Sequence, residues 1–275
     1  VIASEYASIF QALGVKVTMI DRYPLPLGFM DADLTSTFVE SFREMGGTWL
    51  GEKNVTKVEW DGLSQVVTHC EDGTVIKSAK LLCAAGRMAN VQDLHLEHAG
   101  LKVNEMGNIS VDDLLQTSVP HIYAAGDVSG KLPLSSVASM QGRKVAEHVM
   151  GLHTRDHRHL DYDKAASAIF TEPEIADVGL AEAEAFAHGR KIRVTKVPFS
   201  ATPKALINND ARGFVKIISD PATGEVLGGS IVGRHAAELI SVIALAVTAN
   251  LRVTDIVESL LVHPALAEAL AEAAE

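Results

Sequence analysis

The chain has 275 residues, is 47% hydrophobic and carries a formal net charge of -11. That length and composition fit two or three packed units and exclude a disordered chain, while the acidic balance argues against nucleic acid or an anionic membrane as partner. The longest apolar stretch, 239–251, is broken by Ser241, Thr248 and Asn250 and is too short to cross a bilayer; with no secretory leader ahead of the first apolar helix, a cytoplasmic location is expected unless a leader has been lost with an N-terminal segment.

Ile2, Tyr6, Ile9, Phe10 and Leu13 recur at helical spacing, Gly14 is suited to close that helix, and residues 15–20 predict a strand ending at Asp21. This order reads as the helix and second strand of a βαβ unit whose first strand is absent. In a dinucleotide-binding unit the third small position of the glycine fingerprint lets helix and strand pack closely. Ala3 fits that position, Glu5 follows it, and the two glycines are expected ahead of Val1. Asp21 stands where an acid accepts the adenine ribose hydroxyl of NAD. Arg22 beside it suits the 2′-phosphate of NADP, so NAD is favoured and NADP stays open; a solvated strand-end pair is compatible with both.

Residues 31–45 predict a second amphipathic helix with Leu34, Phe38, Phe42 and Met45 on one face, ended by Gly46 and Gly47. Strands are expected at 55–60, 65–70 and 75–78, joined by turns at Asp61-Gly62 and Asp72-Gly73. Residues 81–87 predict another buried strand that breaks at Gly86. Cys70 and Cys83 fall in separate predicted strands, too far apart for a closely spaced redox pair. Both read as small buried hydrophobes, and any dithiol is expected ahead of Val1.

The run Thr117-Ser-Val-Pro-His-Ile-Tyr-Ala-Ala-Gly-Asp127 reads as a short buried strand ending in a glycine and a carboxylate, an edge suited to a nucleotide. Gly126 lets a ligand approach the backbone and Asp127 can accept from its hydroxyls. Taken alone, Gly-Asp is an ordinary strand-to-helix turn. A helix follows from Ser135 to about Met150, and its positive end favours negative charge nearby. His153, His157 and His159 invite a metal assignment, but a solvated linker is the favoured reading.

From 165 onward the pattern is α+β: strands near 169–170, 175–179, 191–197, 214–219 and 226–232, with helices at 181–188, 237–249 and 253–260. His263-Pro264 is expected to start a final helix, with Glu268 just over one turn on and able to reach back to one imidazole nitrogen. By itself this is also what a plain helix start looks like.

The run ending at Asp127 resembles the second flavin-binding motif of the pyridine nucleotide-disulfide oxidoreductases, the family of dihydrolipoamide dehydrogenase, glutathione reductase, mercuric reductase and soluble transhydrogenase. The likeness extends along the chain. Residues 81–87 resemble the exit from the pyridine nucleotide domain, although Ala89 stands where a proline usually precedes the asparagine, here Asn90. Phe170-Thr-Glu-Pro-Glu-Ile175 and Gly213-Phe-Val-Lys-Ile217 resemble the interface domain.

The resemblance implies an α/β protein with Rossmann-like FAD- and NAD(P)-binding domains followed by an α+β dimerisation domain. On that reading residues 1–90 are an NAD(P)-binding domain incomplete at its N-terminus, 91–160 the C-terminal part of an FAD-binding domain and 161–275 the interface domain of a homodimer. Asp127 and Gly126 are then placed at the ribityl and phosphate region of FAD, Glu5 near nicotinamide and flavin, and Gly86 at the nicotinamide side. His263 and Glu268 match the His-Glu pair that works on the partner subunit's disulfide. The implied activity is hydride transfer between nicotinamide and flavin, followed by electron exchange with a small-molecule or lipoyl-domain dithiol. Glu5-Tyr-Ala-Ser-Ile-Phe10 is closer to the first helix of soluble transhydrogenases, which commonly lack the histidine, so transhydrogenation is the second reading. Quinone reduction and a non-catalytic dimerising fragment complete the alternatives, and the terminal cysteines of mercuric reductases are absent.

Overall fold

The computed structural model describes residues 1–152 and 160–275. The chain divides into two compact units, one made of Val1–Ala84 with Ala166–Glu275 and the other of Ala85–Ala165. The first and third expected segments thus fold as one body, with the middle segment inserted between them in sequence. The histidines at 153, 157 and 159 lie outside the described residues.

In the larger unit, helix α1 (Ile2–Ala12) leads to strand β1 (Thr18–Ile20), helix α2 (Ala32–Glu44) and strand β2 (Thr48–Leu50). β1 and β2 pair in parallel, Met19 opposite Trp49, with α2 as the crossover between them. Leu34, Phe38 and Phe42 of α2 are fully buried, as their period requires. A Cβ at Gly47 would lie 2.4 Å from the Phe42 ring, so only glycine lets the chain turn back so close to the helix.

Strand β1 is shorter than expected, and α1 faces the other way. Its buried residues are Ser4, Ala7 and Ser8, whereas Tyr6, Phe10 and Leu13 are exposed. The cause is polar: Ser8 Oγ accepts the Glu172 N–H at 3.2 Å and Glu5 Oε1 accepts the Phe170 N–H at 3.0 Å, which turns the small-residue stripe toward that segment.

Strands β3 (Val55–Trp60), β4 (Val66–Cys70) and β5 (Val75–Ser78) form an antiparallel meander, in which the Asp61 carboxylate collects the N–H groups of Leu63, Ser64 and Gln65. The buried strand expected at 81–87 does not form. Among the described residues no strand pairs with it, so its peptide groups have no ladder to join, and Leu81 and Leu82 are exposed. Cys70 is buried, but Cys83, on this unpaired segment, is exposed, which corrects the expectation that both are core residues.

After residue 165 come β6 (Ser167–Ile169), β7 (Ile175–Gly179), helix α4 (Glu182–Ala187), β8 (Arg193–Pro198), a short helix at Pro203–Ile207, β9 (Phe214–Ser219) and β10 (Val226–Val232). The strands make one antiparallel sheet in the order β6-β7-β10-β9-β8. At Gly213 φ is +89° and a Cβ would stand 1.8 Å from the Val232 carbonyl oxygen, so a side chain is excluded where β9 enters the sheet. One face of the sheet buries Val215, Ile217 and Ile231 with Ile240 and Ile243 of a helix at Ala236–Ala249 and Leu270 of a terminal helix at Glu268–Ala274. The other face packs Phe214 and Val232 with Phe38 and Phe42 of α2. Each such side chain contributes roughly 1.5–3 kcal/mol by leaving water.

Between α2 and the sheet sits Lys216, 1% exposed, its Nζ 2.8 Å from Asp31, 3.0 Å from Asp33 and 3.2 Å from Glu182. Asp31 also accepts the N–H groups of Glu182 and Ala183 at the start of α4. Burial pushes the Asp31 carboxyl up, but the Lys216 ammonium and these two N–H groups outweigh it and hold it below the usual carboxylate range.

The smaller unit has one long helix among its described residues, α3, at Ser135–Val149. The expected strand at 122–125 is instead one arm of a tight local hairpin: Thr117 N–H donates to Ile122 O at 2.9 Å and Ala124 N–H to Leu115 O at 3.0 Å, with a single bridge between Gln116 and Tyr123. Its backbone bonds are spent inside the loop.

Candidate functional site

In the smaller unit the hairpin ends at Gly126, which takes φ 83° and ψ -161°, a conformation open to glycine and strained for any other residue. Asp127 then begins a 3-10 turn, Asp127–Ser129, and is exposed. The turn is held from both sides of Gly126: Gln141 Oε1 accepts its N–H at 2.6 Å and Ser129 Oγ donates to its carbonyl at 2.7 Å. A Cβ on Gly126 would lie 3.5 Å from the Ala138 Cβ, which places the turn against the N-terminal end of α3. That helix end has no acidic residue in its first turn and no side-chain cap, so its N–H groups and positive pole are left for an anion. Gly86, also in this unit, is exposed with φ +130° and has open space around the position of a Cβ.

In the larger unit Asp21 ends β1. Its backbone bonds Leu50 and Lys53, its Oδ1 accepts the Tyr23 N–H at 3.2 Å, and the Arg22 guanidinium lies 4.9 Å from the centre of the Tyr23 ring. Ala3 is exposed on α1, so the close helix-strand packing expected of it is not made among the described residues. Glu5 is half-buried and tied to Phe170.

His263 and Glu268 meet. The His263 Nδ1 lies 2.6 Å from Glu268 Oε1, while Oε2 accepts the Ala265 N–H at 2.9 Å. The final helix begins at Glu268, not at Pro264 as expected; residues 264–267 form bends and i→i−3 turns, with Glu268 N–H reaching Ala265 O. Glu268 therefore stands in the first helical turn and folds its carboxylate back over the preceding loop. The His263 contact first, and the Ala265 N–H second, hold the Glu268 carboxyl below its usual range. An ionised acceptor at Nδ1 selects, for the neutral ring, the tautomer with its proton on Nδ1, which presents Nε2 as the acceptor, on a side chain that is 71% exposed.

Two residues of these sites escaped the sequence reading. Gln141 is fully buried, and its signal was a polar residue one helical turn from Val137 in the buried stripe of α3. Lys216 lies among Phe214, Val215, Ile217 and Ile218 of one strand, where a lone lysine signals a buried partner. Among the described residues no group of His, Cys, Asp and Glu is arranged to hold a metal ion, and no helix is long and apolar enough to cross a membrane.

Residues 1–142 match the family model described as pyridine nucleotide-disulphide oxidoreductase, and residues 165–274 match the dimerisation domain of the same family. The chain is similar to the dihydrolipoyl dehydrogenase of Chlamydia trachomatis, at 37% identity over 100% of this chain and 58% of the relative. It is 38% identical to that of Mycobacterium tuberculosis, over 98% of this chain and 58% of the relative. Among solved structures it resembles LpdA from Mycobacterium tuberculosis, with a TM-score of 0.91 at 33% identity over 98% of this chain and 58% of the other. The HOCl-induced flavoprotein disulfide reductase RclA from Escherichia coli gives a TM-score of 0.91 at 29% identity, over 99% of this chain and 62% of the other. The chain thus spans little more than half the length of the relatives it matches. With both family models in order along it, the chain belongs to the pyridine nucleotide-disulphide oxidoreductase family.

Proposed function

We propose that this chain forms part of a homodimeric, FAD-dependent oxidoreductase that passes electrons between a pyridine nucleotide and a dithiol, with a lipoyl group as the favoured dithiol. The observation that carries the reading is the His263–Glu268 pair, an exposed imidazole with its Nδ1 proton fixed by an ionised carboxylate. The similarity to dihydrolipoyl dehydrogenases along the whole chain supports it.

The residues fit a flavin dinucleotide at the smaller unit. Gly126 adopts the strained turn, among the described residues no hydrogen bond engages the Asp127 carboxylate, and the uncapped start of α3 beside them suits a phosphate. When bound, the flavin supplies two-electron chemistry that no side chain here can perform. The protein's own part is to bind and to move a proton. Asp127 accepts from ligand hydroxyls, and Asp21 accepts from the adenine ribose of NAD in preference to NADP; Glu5 is assigned a contact near nicotinamide and flavin, and Gly86, separately, a backbone contact on the nicotinamide side. His263 Nε2 takes a proton from a substrate thiol as its sulfur attacks a disulfide, and returns it to the thiolate released when that S–S bond breaks and the new one forms, while Glu268 keeps the ring in the right tautomer. Residues 1–90, 91–160 and 161–275 are the corresponding nucleotide, flavin and interface segments.

Transhydrogenation between two pyridine nucleotides is the second reading, favoured by the Glu5–Phe10 stretch. His263→Gln separates the two. In the assembled flavoenzyme we expect lipoamide turnover to fall by about a hundredfold or more, with reduction of the flavin by NADH unchanged. Undiminished lipoamide turnover in that variant would remove His263 from the chemistry.

A further inference from the structure

We infer that Gln141 is a positioning residue for the flavin site: it locks the Gly126 turn in the shape that presents Asp127, and Tyr162 locks Gln141. This deepens the reading of Asp127 as a flavin ligand and rests on it.

The argument starts from burial. Gln141 is 0% exposed in the middle of α3, where an apolar residue would fill the stripe begun by Val137 at no desolvation cost. A buried amide is stable only when both ends are satisfied, and here both are. A backbone N–H can only donate, so the Gly126 N–H at 2.6 Å fixes Oε1 as the acceptor. The other end is then Nε2, which donates to the Tyr162 hydroxyl at 2.9 Å. No amide flip is compatible with the pair, since a flipped Gln141 would set Nε2 against the Gly126 N–H. The phenol, half-buried, accepts from Gln141 and keeps its own proton for a further acceptor.

What is clamped is a backbone position that only glycine adopts readily. At φ 83° and ψ -161° Gly126 has many other conformations open to it, because glycine restricts its own backbone less than any other residue. Its carbonyl, in the peptide that leads to Asp127, is held by Ser129, and its N–H, in the preceding peptide, is held by Gln141 alone among the described residues, so the two bonds together fix φ and ψ at Gly126 and with them the direction in which Asp127 leaves the turn. The side chain on α3 thereby couples the helix whose N-terminus faces Gly126 to the carboxylate beside it. A glutamine serves better than a hydroxyl because it spans two turns of separate origin, from the hairpin end to the segment at Tyr162.

The test is FAD affinity, not turnover. The holoenzyme is stripped of FAD and titrated with it, following flavin fluorescence, and thermal stability is measured in parallel. Asp127→Ala serves as reference. We expect Gln141→Leu, which keeps the volume and loses both hydrogen bonds, to weaken FAD binding by about tenfold. Gln141→Glu should recover binding to within about threefold, because one carboxyl oxygen accepts the Gly126 N–H and the other takes the Tyr162 proton. Tyr162→Phe, which removes one hydroxyl and leaves the rest of the fold intact, should weaken binding by about threefold, and it keeps the inference exposed if Gln141→Leu does not fold. A Gln141→Leu protein that melts lower but binds FAD as tightly as the parent overturns the positioning role, as does an unaffected Tyr162→Phe. If Asp127→Ala itself leaves FAD affinity unchanged, the flavin reading of that carboxylate fails first, and the role of Gln141 fails with it.

Discussion

In the five-stranded sheet, β9 is buried from Phe214 to Ser219, while in α1 the residues that recur at the helix period, Tyr6, Ile9, Phe10 and Leu13, are 40–74% exposed. Both segments belong to the same compact unit. β9 has a strand on each edge and a helical layer on each face, so every side chain it projects finds a partner. α1 rests on a stripe of Ser4, Ala7 and Ser8 and turns its larger residues outward. Apolar periodicity therefore identifies a surface that wants covering; it does not say whether the cover lies within the residues at hand.

The sharpest way to probe this contrast is at the one charged residue of β9. Lys216→Met leaves Asp31, Asp33 and Glu182 without their shared cation, and we expect a loss of about 3 kcal/mol in urea unfolding at neutral pH. The pH dependence has a definite sign. The folded Asp31 is held below its ordinary value, so its contribution is complete above the unfolded value of about 3.9 and is lost as pH falls through the folded one. For Lys216, burial pulls the ammonium down but the bonds to Asp31 and Asp33 outweigh it. Its raised value makes the contribution complete below about 10.4 and lost as pH rises through the folded value. The difference between parent and variant should be flat near neutrality and shrink at both extremes.

A paired substitution tests the contrast itself. Ile217→Ala in the buried strand is expected to cost about 2–4 kcal/mol, whereas Phe10→Ser on the exposed face of α1 should stay within about 0.5 kcal/mol. Equal losses by thermal or urea unfolding would show that the α1 face is covered after all.

A smaller effect than at Ile217 is expected at Asp177, and its sign is opposite. Burial pushes this carboxyl up, the Ser167 hydroxyl opposing and Asp31 adding to it. A raised carboxylate value means that stability falls as pH climbs from the unfolded value through the folded one. Asp177→Asn removes that loss and offers a donor to Ser230, whose buried Oγ has no partner among the described residues and which lies directly opposite in the ladder. We expect a gain of about 1 kcal/mol at neutral pH, measured by the midpoint of urea unfolding.

Much of this architecture was legible in the residues. Phe38 and Phe42 at helical spacing, the Asp61 and Asp72 turns, and the strands at Phe214–Ser219 and Val226–Val232 each follow from local period and turn chemistry. The contact of His263 with Glu268 was also within reach, since both lie in one short segment. What could not be read is non-local. The reversal of α1 depends on N–H groups at Phe170 and Glu172, far along the chain, and the clamp on Gly126 depends on a glutamine in the following helix. The 81–87 segment has every mark of a strand and lacks, among the described residues, a neighbour to pair with. Cys83 is exposed for the same reason.

Asp31 reaches across the sequence to cap α4 and to meet Lys216, and this has a consequence for biosynthesis. The ribosome releases Asp31 and α2 first, then the whole of the 85–165 unit, and only afterwards the strands that complete their core. Nascent α2 must therefore wait with Leu34, Phe38 and Phe42 covered only in part, by Met19 and Trp49 but not yet by Phe214 and Val232, while the intervening unit is already free to collapse. A stalled chain ending near residue 200 would expose that aromatic face to any chaperone within reach.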